Sequence, residues 1–186
     1  QEAVNAGARW SIDGGTTWYE SGQEQVGTGT YTVLFNGLTG FDKPADIPGV
    51  VVTEGQVTGP LTGTYVQHMG SLTVTINPQG AIDAGAQWSV DGGATWNDSG
   101  ATIPLPVGTN TVSYKQVANW NEPANEDVVV VKDQLTTEEG TYARQMGDLT
   151  VNITPQGAAD AGAQWSIDGG TTWRNSGTTI QALLTG

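Results

Sequence analysis

A twelve-residue phrase is written three times in this chain. It reads GARWSIDGGTTW from Gly7 to Trp18, GAQWSVDGGATW from Gly85 to Trp96 and GAQWSIDGGTTW from Gly162 to Trp173. Trp10, Trp88 and Trp165 therefore stand 78 and then 77 residues apart. A fixed period means that one unit is built repeatedly and that neighbours share stabilisation. The 186 residues read as one module written about two and a half times. Module one is 1–69 and lacks its first strand. Module two is 70–146 and is complete. Module three is 147–186, a first half only.

Module two shows what each copy is expected to build. Ser71 to Asn77 (SLTVTIN) alternates Leu72, Val74 and Ile76 against Thr73, Thr75 and Asn77. That period of two belongs to a strand with one buried face. Gln87–Val90 and Ala94–Asn97 are expected as a hairpin turned by Asp91-Gly92-Gly93, because Asp-Gly and Gly-Gly supply the positive φ of a tight turn. The extended piece around Ile103 to Leu105 contains Pro104 and precedes Pro106, which suits an edge strand. Thr109–Val117, Asp127–Lys132 and Glu139–Arg144 bring the total to about seven short strands. Asp127–Lys132 (DVVVVK) is apolar on both faces and reads as a central strand. No segment has helical periodicity. The expected fold is all-β, as tandem immunoglobulin-like β-sandwich modules. The joints His68-Met69-Gly70 and Gln145-Met146-Gly147 are too short for a flexible linker, so a stiff array is expected.

Charge narrows the partners. Six basic residues face 19 acidic ones, a net charge of −13. Nucleic acid and anionic membranes need clustered Lys and Arg, so neither is expected as a partner. The longest apolar run, Val128–Val131, is far short of the roughly 20 residues of a membrane helix. There is no cysteine, hence no disulfide or thiolate site. The composition suits an extracellular or cell-surface setting. The start carries no leader pattern, as expected of a mature chain or a piece of a longer array.

The copies are unequal. Gln1 is equivalent to Gln79, so module one has no version of SLTVTIN. A sandwich without its first strand exposes an apolar groove and unpaired edge groups. Leu149, Val151 and Ile153 form the spare strand of module three and are the candidate strand-exchange residues. Self-association into a rod or filament is the expected partnership, and excision from a longer array is the alternative.

Two resemblances rest on particular residues. Ser89-x-Asp91-x-Gly93-x-Thr95-Trp96 resembles the Asp-box, S-x-D-x-G-x-T-W, of sialidases and other secreted β-proteins. Ser11, Asp13, Gly15 and Trp18 match it, as do Ser166, Asp168, Gly170 and Trp173. The resemblance implies a structural hairpin in which Asp binds loop N–H groups and Trp packs inward. Pro78-Gln79-Gly80-Ala81 and Pro155-Gln156-Gly157-Ala158, each after an L-x-V-x-I strand, are similar to the P-x-G-A element of PEGA-type repeats. That similarity implies a secreted or surface array without catalytic residues.

The candidate chemistry is thin. A sialidase needs an arginine cluster, but Arg9, Arg144 and Arg174 are scattered. Asp-box propellers carry one box per blade of about four strands, and seven strands per box is too many. No enzyme activity and no catalytic residues are expected. Asp13, Asp91 and Asp168 supply one carboxylate per loop, which is thin for calcium, a cation taking six to eight oxygens. No cofactor is expected. The paired tryptophans are expected in the core, whereas Phe41 and Trp120, in loops beside proline, are the candidate aromatics for a glycan. The reading is a non-catalytic extracellular structural protein (stalk, sheath or filament subunit), joined by strand complementation. The alternative is a cell-surface adhesin or carbohydrate-binding module.

Overall fold

The computed structural model describes residues 1–184. The protein is all-β, with 42% of residues in strands; the 8% in helix is confined to three single turns. In module one, α1 (Glu2–Asn5) is followed by β1 (Arg9–Ser11), β2 (Tyr19–Glu20), β3 (Gly29–Phe35), β4 (Phe41–Asp42), β5 (Ile47–Val52) and β6 (Val66–Gln67). Its strands pair as a sheet ordered β2-β1-β3-β5 and as the pair β4-β6.

Module two runs through β7 (Met69–Asn77), α2 (Gln79–Asp83), β8 (Trp88–Ser89), β9 (Thr102–Pro106) and β10 (Gly108–Tyr114). It ends with β11 (Trp120–Asn121), β12 (Glu126–Val130), β13 (Leu135–Thr141) and β14 (Ala143–Arg144). Its sheets are ordered β12-β10-β8 and β13-β7-β9, with the pair β11-β14 beside them. Module three contributes β15 (Met146–Thr150), α3 (Gln156–Asp160), β16 (Gln164–Trp165), β17 (Arg174–Asn175) and β18 (Thr179–Leu184), paired as β15-β18 and β16-β17.

The repeat extends to individual bonds. Leu72 stands opposite Ile103 and Leu149 opposite Ile180. The neighbouring threonine hydroxyls meet at 2.6 Å (Thr73, Thr102) and 2.7 Å (Thr150, Thr179). Ile76 N–H donates to Ser99 Oγ at 2.8 Å, and Ile153 N–H to Ser176 Oγ at 2.9 Å.

Two compact units divide the chain, and the division cuts module two. One holds residues 1–73, 102–111 and 127–138; the other holds 74–101, 112–126 and 139 onward. In the first, Val33, Leu72, Val128 and Val130 are buried. Gly70 is needed there: a Cβ would meet the Val131 carbonyl and the Val130 side chain. In the second, Val74, Ile76, Trp88, Val112, Tyr114, Trp120 and Tyr142 are buried. The Tyr114 ring lies edge-on to Tyr142 and leaves no space for a Cβ at Gly140.

Three expectations are corrected. Residues 94–96 are not a strand. Trp88 and Asn97 exchange backbone bonds at 3.0 and 2.8 Å, and the intervening loop spends its N–H groups on side chains. DVVVVK is not central either. β12 is the edge of its sheet, and Val129 and Val131 face solvent at 61% and 44% exposure. Finally, the segments after Pro78 and Pro155 are helical turns. Each proline takes the extended cap position, where its missing N–H is an orphan anyway, and Gly85 or Gly162 at positive φ follows the turn. β9 is an edge strand as its prolines require.

Candidate functional site

The three hairpin loops are nearly superimposable in their bonding. In module two, Ser89 Oγ donates to Asp91 Oδ1 at 2.7 Å and accepts from the N–H groups of Asp91 and Gly93 at 3.2 and 2.9 Å. Asp91 Oδ1 accepts from Thr95 N–H at 2.8 Å. Ser11 with Asp13 and Ser166 with Asp168 repeat these bonds. The loop N–H donors, led by Thr17 and Thr95, hold Asp13 and Asp91 down to about 2. Thr172 N–H depresses Asp168 in the same way. Each carboxylate thus accepts from its own loop N–H groups, as in an Asx-type turn.

Each hairpin uses its two tryptophans differently. The first lies inward and donates its indole N–H to a backbone carbonyl: Trp10 to Glu20, Trp88 to Asp98 and Trp165 to Asn175, at 2.8–3.0 Å. Trp88 is fully buried and Trp165 is 9% exposed. The second lies over its own loop glycine. A Cβ at Gly15, Gly93 or Gly170 would meet the ring of Trp18, Trp96 or Trp173 at 3.1, 2.8 and 3.2 Å. Trp173 is 57% exposed. Trp18 and Trp96 are half-buried, so inward packing fails at Trp173 alone, and the loop turns back beneath each ring.

Trp120 is corrected in the opposite sense. It is 6% exposed, with Gly80 against one part of the ring and the Arg144 guanidinium 4.9 Å from its centroid. Phe41 is half-buried and edge-on to Tyr65 at 6.4 Å. Neither is a free aromatic platform. Trp120 lies not in a free loop but in β11, which pairs with β14.

The joints carry polar groups. His68 N–H donates to the Gly40 carbonyl at 2.7 Å, and Gln145 N–H to that of Asn119 at 3.0 Å. Gly40 and Asn119 both have positive φ, 82° and 67°, which aims these carbonyls. Beside the first joint, Asp42 pairs with His68 Nε2 at 2.8 Å and with Lys132 Nζ at 3.0 Å, and these bonds, His68 first, lower its carboxyl below the usual range. Beside the second, Gln145 donates to Asn121 at 3.0 Å. Among the described residues no group of three or more His, Asp or Glu is arranged to hold a metal ion.

One concavity lies in module one, within a single compact unit. It is a groove of 1690 Å³ lined by Trp10, Tyr31, Val33, Phe35, Val50 and Val52 among others. Val112, Val128 and Val130 are the module-two equivalents of Val33, Val50 and Val52, and all three are buried. Val50 and Val52 remain only half-buried. The difference is one strand. β7 fills this position in module two, pairing with β9 on one side and β13 on the other. The equivalent position of module one falls before Gln1, and the segments beside it, 23–28 and 56–65, are coil.

Leu149, Val151 and Ile153 are half-buried, whereas Leu72, Val74 and Ile76 are at most 1% exposed. β15 is bonded along one edge to β18, and no strand pairs with its other edge among the described residues. No family model, no curated protein and no solved structure matches the chain.

Proposed function

We propose that this chain is a non-catalytic structural element of an extracellular stalk, sheath or filament, built from stacked copies that join by strand complementation. The observation that carries the reading is the repeat itself: the same hairpin bonds recur at Ser11, Ser89 and Ser166, spaced 78 and then 77 residues apart. The hairpin carboxylates support the same reading, because an oxygen of each accepts from its own loop. The net charge of −13 keeps the lateral surfaces apart. No described helix is long and apolar enough to cross a membrane, and secretion is part of the proposal.

The test is electron microscopy of the purified chain at rising concentration. Rods or filaments that lengthen with concentration support the reading. A chain that stays single at every concentration overturns it.

One observation favours a second reading, a glycan-binding surface. Trp173 presents more than half of its area, and exposed rings stack on sugar faces. Quenching of tryptophan fluorescence by a polysaccharide, lost in Trp173→Ala, would establish it. No response across a glycan array would remove it.

A further inference from the structure

We infer that Gln87 and Lys115 of module two join through an amide bond between their side chains, made by the chain itself with loss of ammonia and with Asp98 relaying the protons. The inference is independent of how copies join, since all three residues lie within one compact unit.

The three residues stand abreast. Gln87 directly precedes β8, and its carbonyl accepts from Lys115 N–H at 2.9 Å on the side of β10. On the other side the bridge between Trp88 and Asn97 brings Asp98 alongside, and the buried Trp88 donates its indole N–H to the Asp98 carbonyl at 2.9 Å. The side chains meet in the same order. Lys115 Nζ donates to Gln87 Oε1 at 2.7 Å, and Gln87 Nε2 donates to Asp98 Oδ1 at 2.8 Å. The charges on either side fix which way the amide faces: its oxygen toward the ammonium, its N–H toward the carboxylate. Gln87 and Lys115 are half-buried, and the Trp96 ring lies 6.0 Å from Lys115 Nζ.

An amide is thus held between a nucleophile and a proton acceptor. The hydrogen bond from Lys115 draws electrons away from the Gln87 carbonyl carbon. Once the ammonium gives up a proton, the amine has only to turn from the oxygen to the carbon of the same amide. The Nζ–Cδ bond forms and the Cδ–Nε2 bond breaks. Asp98, already bonded to Nε2, hands protons to the departing nitrogen, which leaves as ammonium carrying the two protons that Lys115 loses. Nothing is oxidised or reduced, and no further reactant is needed. Attack of an amine on an amide is slow between separate molecules, but well-oriented groups in one molecule reach effective molarities of roughly 10⁵ M or more. The product ties β8 to β10, its neighbour in the sheet.

The other copies differ at these places. In module one the equivalents are Arg9, Glu20 and Asn36. Arg9 pairs with Glu20 at 3.7 Å and gives its backbone N–H to Asn36 Oδ1 at 2.7 Å, so the lysine is replaced by an asparagine. In module three Gln164 Nε2 donates at 3.0 Å to Asn175, an amide where module two has the Asp98 carboxylate.

The experiment is peptide mapping by mass spectrometry of the full chain after long incubation at neutral pH, with cleavage before aspartates. Gln87 and Lys115 then fall in separate peptides, 83–90 and 98–126. The unchanged chain should yield them as one branched peptide, lighter than their sum by one ammonia. Reading that peptide, rather than the whole mass, sets aside ammonia lost by cyclisation of Gln1. Lys115→Arg keeps the charge and should yield the two peptides apart. Asp98→Asn should form the branched peptide about a hundredfold more slowly, and Asp98→Glu, which keeps the carboxylate, should recover most of the rate. Separate peptides from the unchanged chain overturn the inference. An unchanged rate in Asp98→Asn overturns the part given to Asp98.

Discussion

The Tyr114 ring lies against the backbone of Gly140, where no Cβ fits, and Phe35 meets Gly63 in the same way. The two pairs are equivalents in modules two and one, but only the first is closed over by a β7-type strand. Gly140→Ala must push Tyr114 into a filled core and should cost on the order of 1–3 kcal/mol. Gly63→Ala pushes Phe35 toward the open groove and should cost less. Denaturant midpoints of the two variants check the order, and equal losses would contradict the open position.

Ser89 is fully buried and bridges Asp91 to the N–H of Gly93. Ser89→Ala leaves those loop groups without their partner and should lower stability by about 1–3 kcal/mol. Chemical denaturation followed by tryptophan fluorescence reads it.

The hairpin carboxylates set an acid limit. Asp13 and Asp91 fall from the ordinary 3.8 to about 2 on folding, through bonds led by the N–H groups of Thr17 and Thr95. A folded-state value below the unfolded one means stability that is present above about pH 4 and is lost as pH falls toward 2. Melting temperature should therefore drop over that window. Replacing Asp13, Asp91 and Asp168 by Asn should lower it at neutral pH and flatten its acid slope.

Trp120 and Trp173 should separate core from surface. Trp120→Ala removes a buried ring from between Gly80 and Arg144 and should cost about 3–5 kcal/mol. Trp173→Ala should stay within about 0.5 kcal/mol, since the ring is mostly exposed. Similar losses in both would contradict the placement.

How far the sequence led depends on which signal carried each element. The alternation of Leu72, Val74 and Ile76 located β7 well, because burial on one face imposes period two. The prolines of β9 placed it at an edge, because an edge tolerates their missing N–H. Asp91-Gly92-Gly93 points to a tight turn between strands 87–90 and 94–97, yet Ser89 and Asp91 side chains hold a wider loop, and side-chain capping leaves no periodic trace. The valines of β12 suggested a central strand, but composition does not report how many neighbours a strand has. A single helical turn is too short to show a period in sequence. Repeat comparison alone matches Leu149, Val151 and Ile153 to β7, and it does not show the helical turn α3 that follows them.

The two joints make the same backbone bond, from His68 to Gly40 and from Gln145 to Asn119, although donor and acceptor residues both change type between them. The hinge chemistry is thus written in amide groups that every residue carries. A gene encoding such a chain can lengthen by duplicating a copy, and the new seam works at once without tailored side chains. Variation at these positions is left free to tune salt sensitivity: the Asp42 cluster responds to ionic strength, and the Asn121–Gln145 pair does not.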